Sequence, residues 1–137
     1  MKFMFDNNLP PSFAQAIKAL SENKNNNHEI FPLKERFKPD TEDETWIREL
    51  SASGDACVIT QDRLNKGMEA GLLSDSGLIV FFLDKSWVNQ KFWDKAINLI
   101  RWWPRIVEQA EGIAGGASFS VPWRFSGKGK FRQIKKR

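Results

Sequence analysis

Cysteine and histidine are almost missing from this 137-residue chain, which holds one of each. A lone Cys57 makes no internal disulfide, no Cys-based zinc cluster and no CxxC redox pair. With His28 as the only imidazole, a metal site has to be built mainly from carboxylates, which favours hard ions such as Mg²⁺ or Mn²⁺. No apolar run approaches the ~20 residues of a membrane span. The N-terminal MKFMFDNNLPP carries no long apolar stretch behind its first Lys, so no secretory signal is expected. The chain reads as cytoplasmic, with no membrane partner. Acid is missing from one region as well. The last 14 residues, Arg124 to Arg137, hold seven Lys or Arg and no Asp or Glu.

That local absence changes the meaning of the formal charge of +4. Residues 1–123 carry the other 14 basic groups against all 17 acidic ones, a net −3. An apparently basic protein is therefore an acidic body, 1–123, with a basic C-terminal tail, 124–137. A tail of this kind reads as a solvated end, as an arm for RNA phosphates, or as a segment lying on a neighbouring copy's acidic cleft. The body has the length of one domain, and 41% apolar residues with 11 Phe and 6 Trp give it a core.

Apolar runs and helical stripes alternate along the body. Lys2–Phe5 reads as a strand stopped by Asp6-Asn7-Asn8. Pro10 and Pro11 open a helix with Phe13, Ala16, Ile17 and Leu20 on one stripe. His28–Leu33 reads as a second strand. Thr41 to Glu44 has the spacing of a capping box ahead of a helix with Trp46, Ile47 and Leu50, and Gly54 ends it. Ala56–Thr60 is an apolar run suited to a strand buried on both faces. A helix over Leu64–Leu73 and a strand over Leu78–Leu83 follow. Gln90–Glu111 forms the longest helical pattern, which Pro104 should kink or divide. Ser118–Val121 reads as a short last strand. Strands alternating with helices indicate an α/β fold with a mainly parallel sheet, whose ligands bind beyond the carboxyl ends of the strands.

Three strand ends carry an acid: Asp6, Asp62 and Asp84. In a parallel sheet these share one edge, and Asp43, in the first turn of a helix preceding a strand, can face the same edge. Each has a plain reading too. Asp6 suits a turn with Asn7 and Asn8, Asp43 suits the positive end of a helix, and Asp84 suits a turn before Trp87. Together they would repel, by about 4 kcal/mol per pair at 4 Å and an effective dielectric of 20, unless a divalent cation sits among them. Carboxylate-held Mg²⁺ is the common device of phosphate chemistry.

Three segments resemble the PIN-like domain family: Asp6-Asn7-Asn8-Leu9-Pro10-Pro11, Asp43-Glu44-Thr45-Trp46-Ile47-Arg48-Glu49-Leu50 and Val58-Ile59-Thr60-Gln61-Asp62-Arg63. The later FFL strand, Trp87 and Trp102-Trp103-Pro104 resemble its VapC-type branch, so that the similarity runs from residue 1 to about residue 121. The resemblance implies a single three-layer PIN-like domain, α/β, with a mainly parallel central sheet flanked by helices. It implies a Mg²⁺- or Mn²⁺-dependent nuclease acting on RNA, and the toxin role in a toxin–antitoxin pair with a cognate antitoxin as partner. On this resemblance Asp6, Asp43 and Asp62 match the family's acids. Asp6 and Asp62 bind metal, and Asp43 is a ligand or orients the attacking water. Thr60 positions Asp62 or a metal-bound water. Asn8 supports the Asp6 turn and is counted with Arg63 on the substrate side, although Arg63 equally suits pairing with a nearby acid. Asp84 takes the place of the fourth acid, with Glu44 and Glu49 as lesser candidates.

Trp46, Trp93, Trp102 and Trp103 stand at helical spacing and suit a core or a dimer interface rather than base stacking. The surplus apolar faces of the 90–111 helix suit burial or a homodimer contact. His28 and Cys57 are given no catalytic role. Two other functions compete: a PIN-like domain that binds RNA or a partner without cutting, and a receiver-type phospho-accepting domain. The second would want two adjacent acids after the first strand, where this chain has Asp6 followed by two Asn.

Overall fold

The computed structural model describes residues 1–22, 28–61, 71–73 and 75–134. Its elements are β1 (Lys2–Phe5), α1 (Pro11–Ser21), β2 (Glu29–Pro32), α2 (Asp43–Ala52), β3 (Ala56–Gln61), β4 (Ile79–Leu83), α3 (Phe92–Glu111), β5 (Ala117–Val121) and β6 (Arg132–Ile134). The six strands form one sheet in the order β2-β1-β3-β4-β5-β6. The first five are parallel, and β6 runs antiparallel to β5.

The continuous apolar runs are explained by burial on both faces of the sheet. Alternate side chains of β1 divide, with Phe3 and Phe5 on one side and Met4 on the other. The Phe3 side joins Ile59, Phe81 and Val121 and is covered by α1 and α3. The Met4 side joins Val58, Val80 and Phe82 and is covered by Trp46, Ile47 and Leu50 of α2 together with Leu73. Helices on both faces give the three-layer α/β arrangement expected from the sequence.

Several boundaries differ. The second strand ends at Pro32, and Leu33–Glu35 turns as a short 3-10 segment. The Thr41 capping box does not form, because α2 begins one residue later than that box requires. Glu42 is its N-cap, with no side-chain cap bond, and the Glu42 carbonyl accepts the Thr45 and Trp46 amides. Gly54, just past α2, has φ +73°, a conformation that favours glycine. The helix expected over 64–73 is seen at 71–73, and its remainder lies outside the described residues.

Pro104 does not divide α3, which is one helix of 20 residues. An internal proline costs about 3 kcal/mol. Burial of a large apolar side chain returns about 1.5–3 kcal/mol. Leu99, Trp102 and Trp103 ahead of the proline and Ile106 beyond it are all buried, so packing outweighs the lost bond. Pro104 itself is exposed, which puts the unpaired carbonyl one turn back on the solvent side.

The basic tail is less solvated than its charge suggests. Arg132–Ile134 pairs with Ser118–Ser120. Phe131 lies 5.2 Å from Trp102 and 5.3 Å from Phe81, centroid to centroid, and Arg105 stacks on its outer face at 4.7 Å. Two apolar side chains set among the charges, Phe125 and Phe131, pack against the core.

Candidate functional site

The chain leaves β1 toward α1, on the Phe3 side of the sheet. It leaves β3 toward the segment holding Leu73, on the Met4 side. Strands β1 and β3 are neighbours, so their exits diverge and leave a crevice at the carboxyl edge between them. This is the switch point of an open α/β sheet, where such folds bind ligands.

Asp6 and Thr60 stand at that point. Asp6 continues β1 by donating its amide to the Ile59 carbonyl at 2.9 Å. Its side chain is nearly buried, 6% exposed. One carboxylate oxygen accepts the Thr60 hydroxyl at 2.9 Å, and the other accepts the Asn7 amide at 2.7 Å. A carboxylate has about four acceptor positions, so two bonds leave lone pairs for a further partner. Thr60, 3% exposed, is oriented in turn by Asn8, whose Nδ2 donates to the hydroxyl oxygen at 3.0 Å. The donors therefore run in one direction, from Asn8 to Thr60 to Asp6.

Asn8 also grips the end of β3. Its Oδ1 accepts the Gln61 amide at 3.1 Å, and its Nδ2 reaches the Gln61 carbonyl at 3.3 Å. The side-chain amide thus copies one rung of strand pairing and ties the Asp6 turn to β3. Its polar atoms are spent on the scaffold, which makes Asn8 a positioning residue in this arrangement. The Gln61 backbone is the partner that reading by residue type did not anticipate. The signal was an Asn two places after the strand-end Asp, at a length suited to bridging two parallel strand ends.

The remaining acids are not gathered into this network. Asp43 is exposed at the start of α2, a helix that returns across the sheet into β3, so it lies toward the same edge. Its Oδ1 accepts the Trp46 indole N–H at 3.0 Å. Asp84 follows β4 at that edge too, and its Oδ1 accepts the Ser86 amide at 2.9 Å and the Ser86 hydroxyl. It caps the short 3-10 turn Lys85–Trp87. Glu44 pairs with Arg48, and Glu49 is exposed. Asp62 and Arg63 lie outside the described residues.

Among the described residues, no group of three His, Cys, Asp or Glu side chains is arranged to hold a metal. Cys57 is fully buried inside β3, and burial pushes its thiol pKa up. His28 precedes β2, at the opposite edge of the sheet, and contacts Glu111 at 3.3 Å. The donor chemistry of the crevice is thus oxygen alone. That suits Mg²⁺, which needs only one or two carboxylates when waters and substrate phosphates complete its shell. Asp6 meets the requirement for one such ligand. Among the described residues no helix is long and apolar enough to cross a membrane.

One family model, a PIN-like domain, matches residues 1–85. The match takes in β1 through β4 and ends just after Asp84. Comparison with curated proteins finds no match, and comparison with solved structures finds none either.

Proposed function

The chain belongs to the PIN-like domain family, and on that premise we propose that it is a metal-dependent endoribonuclease, the toxin of a type II toxin–antitoxin pair. The observation that carries this reading is the buried Asp6 carboxylate, held by the Thr60 hydroxyl at the β1–β3 switch point. PIN domains are commonly nucleases. The resemblance to the VapC-type branch supplies RNA as substrate and a cognate antitoxin as partner.

Asp6 and Asp62 would hold a Mg²⁺ or Mn²⁺ ion, with Asp43 and Asp84 as the further acids of the edge. Such an ion supplies neutralisation of phosphate charge and a lowered pKa for water. Thr60 fixes the direction of the Asp6 carboxylate through its hydroxyl. Asn8 fixes Thr60 and holds the end of β3, the strand that leads directly into Asp62. Asp43 would serve as a further ligand or orient the attacking water, and Arg63 would contact the RNA backbone. The acids along this edge would repel RNA phosphates unless a cation offsets the charge.

The test is cleavage of single-stranded RNA by purified chain with Mn²⁺ added. Cleavage that Asp62→Asn abolishes, in a variant that stays folded, is the expected result. RNA binding with no cutting at any Mn²⁺ concentration would instead favour a silent PIN-like binding domain. Stable labelling by a small phosphodonor would favour the receiver-type alternative.

A further inference from the structure

Helix α3 has two apolar faces, and the fold uses one of them. Leu99, Trp102, Ile106 and Ala110 are buried against the sheet. The other side presents Trp93, Ile97, Ile100 and Pro104, spaced four, three and four residues apart, and continues three residues on to Val107, which is half-buried against the core. Trp93 is 74% exposed and Ile97 63% exposed. The 4-3 spacing is that of a seam that packs on another helix. Beside it runs a groove of about 550 Å³ between α1 and α3, walled by Ile17, Leu20, Ile100, Trp103, Pro104 and Val107.

We infer that this face docks a second copy of the chain, with the two α3 helices antiparallel about a two-fold axis. Charge selects both the occupant and the direction. Asp94 and Arg101 are exposed and each directly follows a seam residue, Trp93 and Ile100. They therefore lie on one flank of the stripe, seven residues apart in sequence, or roughly 10 Å along the axis at 1.5 Å per residue. Setting Ile97 of each copy against Ile100 of the other brings Asp94 of each copy to Arg101 of the other, twice. Parallel pairing in register would put the Asp94–Arg101 flanks of the two copies on opposite sides of the seam and leave both charges without a partner across it. The antiparallel register also lays Trp93 over Pro104 of the other copy, at the mouth of that copy's groove. A patch that complements itself in this way is what a two-fold interface requires. This inference is independent of the nuclease reading, because α3 lies beyond the family match.

Sedimentation equilibrium on the full chain at tens of micromolar tests it. The wild-type chain is expected to dimerise, and Ile97→Glu to give a folded monomer with unchanged far-UV circular dichroism, since Ile97 is largely outside the core. Asp94→Arg should weaken the dimer about tenfold, equivalent to about 1.4 kcal/mol. Adding Arg101→Asp to that variant should restore the wild-type affinity. A wild-type chain that stays monomeric overturns the inference, as does a dimer that survives Ile97→Glu. A dimer that the double reversal fails to restore overturns the antiparallel register.

Discussion

Thr60→Val is the most informative single change. Valine keeps the volume of threonine and removes only the hydroxyl, which here donates to Asp6 at 2.9 Å and accepts from Asn8 at 3.0 Å. Hydrogen bonds to charged groups contribute about 1.5–3 kcal/mol, and Asp6 at 6% exposure has little water to turn to instead. The Asn8 Nδ2 retains the Gln61 carbonyl at 3.3 Å, so its loss is partial. A destabilisation of about 2 kcal/mol follows, or a fall in Tm of roughly 6–10 °C for a domain of this size. Thr60→Ser is the control. It keeps the hydroxyl and drops one methyl, at about 0.8 kcal/mol. Urea titration of the three proteins should therefore rank them wild type, Ser, Val. Were the hydroxyl idle, Val would be neutral or stabilising at so buried a site. A Val variant as stable as wild type, or more stable than Ser, would refute the proposed network.

Two further outcomes are checked simply. Phe131→Ala removes a half-buried ring that touches Trp102, Phe81 and Arg105. It should cost about 2 kcal/mol by denaturant titration, below the 3–5 kcal/mol of a fully buried Phe, and a change under about 0.5 kcal/mol would show the C-terminal segment to be merely appended. Cys57, buried and with its thiol pKa pushed up, should resist alkylation in native protein at neutral pH and react in full after unfolding. Rapid native modification would contradict its place inside β3.

The sheet was legible because its strands are short apolar runs with polar stops, and burial on both faces leaves no other economical arrangement for ACVIT or IVFFL. Asp6 and Thr60 were legible as strand ends for the same reason. The helix start at Asp43 is not legible in the sequence, because Thr41 and Glu44 satisfy the capping-box spacing while the backbone closes its first turn on Glu42. Trp93 shares its helical spacing with three tryptophans that are buried, Trp46, Trp102 and Trp103, yet it is 74% exposed. Helical spacing counts apolar residues without saying which of two faces meets the sheet. Charge alone does not describe the tail, since Phe125 and Phe131, set among its cations, fasten the segment where both rings meet Trp102. Asn8 was visible as a companion of Asp6. Its hold on Gln61 was not, because that contact joins residues 53 positions apart.

The most direct measurement is a Mn²⁺ soak of crystals of the full chain, with anomalous maps recorded at a wavelength where manganese scatters strongly. A peak about 2.0–2.2 Å from an Asp6 carboxylate oxygen, lost in Asp6→Asn crystals of the same form, is the expected result. Crystals that show no peak at Asp6, or the same peak in both proteins, would contradict a metal-dependent nuclease centred on the β1–β3 crevice.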